Sequence, residues 1–167
     1  MSNPYVMGIV YFVHIIATVL WVGGIFLNLF VFMPSAKDTL EPPMMGKFMG
    51  AVMKRFKPVV YACMVLLGIT GFIMMTQNAN YSGLMKFEST WSVLSFIKHV
   101  AMVLWVIFSI YIFEGLLPKM GKLAAQGPSP ELGKLQALQM KLGMVAVVLA
   151  VVVLYLTSVM NSISSLS

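Results

Sequence analysis

The chain has 167 residues, 60% hydrophobic and 10% charged, with a net charge of +6 and a single cysteine. Soluble domains carry about a quarter charged residues, so this is no ordinary soluble core, and the length suits one helical membrane domain without a second folded unit. One cysteine excludes both an intramolecular disulfide and a CxxCH motif.

Apolar runs of about 18 residues or more read as membrane-crossing helices, and four occur, at roughly 5–33, 58–77, 91–117 and 138–161. The first holds His14 as its only titratable side chain apart from tyrosine. It lacks a basic n-region, is too long for an h-region and ends in no small-residue cleavage site, so a retained helix is expected rather than a signal peptide. Met33-Pro34 reads as its close, and Asp38 to Pro43 as a turn-rich link. Met45, Phe48, Met49, Val52, Met53 and Phe56 then recur at helical spacing, which predicts an amphipathic extension over 44–57 lying at the interface. Pro58 predicts a kink where the second span enters the bilayer.

The second span ends near Thr76, and Gln77 to Gly83 reads as a polar loop. Trp91 reads as an aromatic-belt residue at the start of the third span, which carries Lys98, His99 and Glu114. Glu114 is expected to pair with the neighbouring basic loops. Pro118 and the Gly-Pro-Ser-Pro run at 127–130 read as breaks, and Ser129-Pro130-Glu131 as a helix start. The fourth span, rich in Val and Leu, reads as a packing helix.

The location of the positive charge is more informative than its sum. Lys37, Lys47, Lys54, Arg55 and Lys57 lie between the first and second spans, and Lys119, Lys122, Lys134 and Lys141 between the third and fourth. The loop between the second and third has Lys86 offset by Glu88, and the tails have no charged side chain. By the positive-inside rule both basic loops face the cytoplasm and both termini face out. The expected fold is therefore all-α, a four-helix transmembrane bundle over residues 1–167 with both termini on the outer side. The basic residues encode topology and contact anionic lipid; nucleic acid is not an expected partner.

The chain has two histidines, His14 and His99. His14 lies nine residues in from Tyr5 and His99 eight residues in from Trp91. Both rings therefore sit roughly 12–14 Å below the outer boundary, at 1.5 Å per residue. Two imidazoles at one depth on separate helices can ligate one metal from opposite sides, and haem b suits such a pair. Trp21 follows His14 by seven residues on the same face, and Gly23 and Gly24 permit close approach by a helix or a flat macrocycle. Val103 and Val106 are expected as walls on the face of His99. Lys98 has three open roles: snorkelling to the interface, pairing with a haem propionate, or ligating iron itself. Either histidine alone could instead hydrogen-bond across helices. The 16 methionines permit a copper reading, since thioether suits Cu(I), but most stand at packing positions.

His14 with Trp-Val-Gly-Gly at 21–24, Arg55-Phe56, Gly68-Ile69-Thr70-Gly71, and Lys98 early in the third span resemble the copper resistance protein D domain. His14 and Lys98 also resemble the HemJ type of protoporphyrinogen oxidase, although Val-Gly-Gly stands where that family has a Phe-Tyr-x-Pro-Arg run. These resemblances imply a four-helix haem or copper protein of a bacterial or archaeal cytoplasmic membrane. Three functions follow as expectations. One is a b-type cytochrome joining a quinone pool to an outer-side acceptor or partner subunit. The second is copper handling through His14, His99 and methionines such as Met102. The third is oxidation of a porphyrinogen. A homo-oligomer is compatible with all three.

Overall fold

The computed structural model describes residues 3–83 and 85–166, and among these there is no strand. Four helices, α1 (Pro4–Thr39), α2 (Pro42–Thr76), α3 (Thr90–Ala124) and α4 (Pro130–Leu166), are each long and apolar enough to cross a membrane. With 35 to 37 residues each, they run roughly 52–56 Å at 1.5 Å per residue. That exceeds a hydrocarbon core of about 30 Å, so each helix has polar or amphipathic turns to spare at the end away from the termini.

Local chemistry explains the starts. Asn3 accepts the Tyr5 backbone N–H at 2.9 Å with Pro4 in the first turn of α1, and Ser89 accepts the Ser92 N–H at 3.1 Å to cap α3. Ser129 accepts the Leu132 N–H at 3.2 Å ahead of Pro130, the helix start expected from the sequence.

Two expected breaks are not breaks. Pro34 and Pro118 lie within continuous helices, each just after a π-helical stretch, Asn28–Phe32 and Tyr111–Leu116. A proline removes one helical N–H and its ring crowds the carbonyl four residues back. The wider π turn, in which Met33 N–H reaches Asn28 O and Leu117 N–H reaches Ile112 O, absorbs that insult and lets the helix go on. α2 likewise runs unbroken through Pro58, and the amphipathic stretch 44–57 is its first part.

The helices associate as two antiparallel pairs, α1 with α2 and α3 with α4; α1 also packs on α4, whereas α2 and α3 make few close backbone approaches. In a membrane such pairing depends on close packing at small residues rather than on hydrophobic expulsion. Ala17, Ala146 and Ala150 are buried in the core cluster around the two tryptophans. Gly24 admits the Phe56 ring so closely that an added Cβ would lie 2.0 Å from its tip, and Gly143 admits Leu29 at 3.0 Å. In the centre Trp21 and Trp105 stack, ring centroids 4.3 Å apart and planes 17° apart, among Val60, Cys63 and Leu67. At the end carrying the termini, Met75, Trp91 and Met160 form a second cluster under Tyr81. Trp91 is therefore buried between helices rather than turned outward as an aromatic belt residue.

Candidate functional site

Each histidine is held by one ring nitrogen. His14 Nδ1 lies 2.8 Å from Thr70 Oγ1 on α2. The Thr70 hydroxyl gives its only proton to Leu66 O at 2.6 Å, so it must accept from His14, which fixes the Nδ1–H form and leaves Nε2 as a free base. His99 Nδ1 lies 2.6 Å from Ser95 O. A carbonyl only accepts, so this ring too donates from Nδ1, and in the neutral imidazole Nε2 is the nitrogen left with a lone pair. A ligating imidazole is oriented in this way, its second nitrogen tied to a carbonyl or hydroxyl behind it. The His14 edge also rests near Gly71, where an added Cβ would come within 3.5 Å of Cε1.

The helical faces sort the candidates on α3. Seven residues separate His14 from Trp21, and seven separate Lys98 from Trp105. Seven residues are nearly two full turns, so each pair shares a face. Because Trp21 and Trp105 stack, His14 and Lys98 stand in equivalent positions above the stack on parallel helices. Lys98 is half-buried. Among the described residues the ion pairs are Lys57–Glu114 and Lys119–Glu131, neither of which involves Lys98. His99 is about 100° further round and lines a small void of about 40 Å³ with Met75, Tyr81, Trp91, Ser92 and Ser95. That void is water-sized, so a macrocycle would enter only if the helix pairs part.

Other expected site residues fall elsewhere. Trp21 is buried in the stack. Gly24 lies ten residues beyond His14, roughly 15 Å along the axis, and its open side is filled by Phe56. Val106 packs against the core, while Val103 faces outward. Glu114 does pair with a basic residue, accepting from Lys57 Nζ at 2.9 Å and also from Tyr61 Oη at 2.5 Å. Trp105 Nε1 and Asn28 Oδ1 are buried without a hydrogen-bond partner among the described residues. Thr70 and Tyr61 were not evident as site residues in the sequence. Thr70 lies in the Gly-Ile-Thr-Gly run, but only the α1/α2 pairing reveals what it holds.

Among the described residues no three of His, Cys, Asp or Glu gather closely enough to hold a metal ion. Compared with known protein families, curated proteins and solved structures, the chain matches none.

Proposed function

We propose that the chain is an integral membrane b-type haem protein of a bacterial or archaeal cytoplasmic membrane, with both termini on the outer side. It would hold one haem between α1 and α3 and pass electrons between the quinone pool and an outer-side acceptor or partner subunit. The observation that carries this reading is the matched tethering of the two imidazoles, each donating from Nδ1 to an oxygen behind it. A metal held by side chains alone would need more donors than these, whereas iron already held by a macrocycle would need only one or two from the protein. Bound haem would supply one-electron redox chemistry. The chain's own part is to orient His14 through Thr70, to contribute a second donor from α3, and to exclude water with the buried Trp21–Trp105 stack. With both histidines in the outer half, electron movement across the full membrane requires a quinone beside the haem or a partner subunit.

A second reading is favoured by the register of Lys98 with His14: lysine, rather than His99, would supply the second donor to the iron, as the resemblance to the HemJ type implies. Single substitutions separate the two. If His14 and His99 are the ligands, His14→Ala and His99→Ala each abolish the low-spin spectrum, and Lys98→Met retains it with weaker haem retention. If Lys98→Met turns the iron high-spin while His99→Ala does not, Lys98 is the ligand. A low-spin spectrum that survives in His14→Ala would overturn both readings.

A further inference from the structure

The four helices are joined unequally. α1 meets α2 after a two-residue link at 40–41, and α3 meets α4 after 125–129, but α2 and α3 are separated by residues 77–89. Within each pair the backbones approach closely, and α1 rests on α4, where Gly143 receives Leu29. Along the α2/α3 seam there is little close backbone approach. The bundle is thus two leaves joined at an α1/α4 spine, with an α2/α3 edge closed by side chains, Trp105 among Val60, Cys63 and Leu67, rather than by close backbone approach.

Polar and aromatic ties clasp that edge near its two ends. By the termini, Met75 of α2 packs on Trp91 of α3. At the other end Glu114 of α3 accepts from both Lys57 and Tyr61 of α2, and Tyr61 lies 6.0 Å from Phe113. Glu114 lies within the π turn Tyr111–Leu116. The Lys57 and Glu114 side chains are 36% and 52% exposed, so this tie lies at the rim of the seam rather than within the core.

We propose that the α2/α3 seam is the lateral entrance through which a flat, lipophilic ring molecule passes from the bilayer to His14, and that Glu114 is its latch. The identity of that ring as haem rests on the reading above; the latch does not. The closed bundle has only a water-sized void at His99, so the leaves must separate for any ring to enter. The α1/α2 interface and the α1/α4 spine are closed at Gly24 and Gly143, and α3/α4 by close backbone approach, which leaves the α2/α3 edge as the one seam held by side chains alone.

The test uses the full chain in lipid nanodiscs. Spin labels at Val65 and Val103, both outward-facing, are placed in a Cys63→Ala background, and their separation is measured without haem. Glu114→Gln and Lys57→Met should broaden the distribution towards longer distances, and the exchanged pair Lys57→Glu with Glu114→Lys should restore it. In parallel, haem transfer to apomyoglobin should quicken roughly 1.5- to 5-fold in the single variants, the range of a solvent-exposed ion pair. It should return towards the wild-type rate in the exchanged pair. Distance distributions identical in all variants would overturn the latch. Broadening with unchanged haem transfer would overturn the entrance while leaving haem binding intact. Normal latching in a protein that takes up no haem would overturn the haem reading alone.

Discussion

At the scale of single residues the site depends on which ring nitrogen carries the proton. His99 is tied to a backbone carbonyl that no substitution removes, but His14 depends on one hydroxyl, Thr70, on another helix. Thr70→Val keeps the shape and deletes the acceptor. Haem retention should fall about 10- to 100-fold, the usual cost of losing such a partner, and Thr70→Ser should restore it. Equilibrium titration of apoprotein with haemin measures this. The candidate donors were legible in the sequence, because a histidine or lysine in an apolar run is rare. Their facing was less so. Equal depth suggested His14 with His99, while the equal seven-residue steps to Trp21 and Trp105 align His14 with Lys98. The steps could be counted in the sequence, but that the two tryptophans stack could not.

At the scale of elements, hydropathy located the four helices and a cap located the start of α4, but prolines misplaced two ends. Pro34 and Pro118 look like stops because an ordinary α turn cannot hold them; the preceding π turns do, and nothing in the local composition announces a π turn. Contacts between helices were similarly hidden. Gly24, expected to face a cofactor, receives Phe56 instead. Gly24→Leu should therefore destabilise the α1/α2 pair by about 1–3 kcal/mol, the cost of overpacking. Reversible unfolding in mixed micelles measures it, and adding Phe56→Ala should recover part of the loss. A fully additive double variant would mean that the two residues do not share this space.

At the scale of the whole molecule, Asn78 of the α2–α3 link bonds Ser164 near the end of α4, and the large basic surplus lies at the opposite end. The proposed orientation puts that surplus in the cytoplasm. In a Cys63→Ala background, a cysteine at Ser82 should react with an impermeant maleimide in intact cells, and one at Gln126 only after lysis; the reverse pattern would invert the molecule. The central claim is a haem b held between α1 and α3, and the most direct measurement is the reduced-minus-oxidised visible spectrum of the freshly purified protein, with the pyridine haemochrome. A red protein with a low-spin b-type α-band, one haem per chain, and loss of the band in His14→Ala is the predicted result. A colourless protein that stays colourless when haemin is added, or one that returns with stoichiometric copper instead, would contradict it.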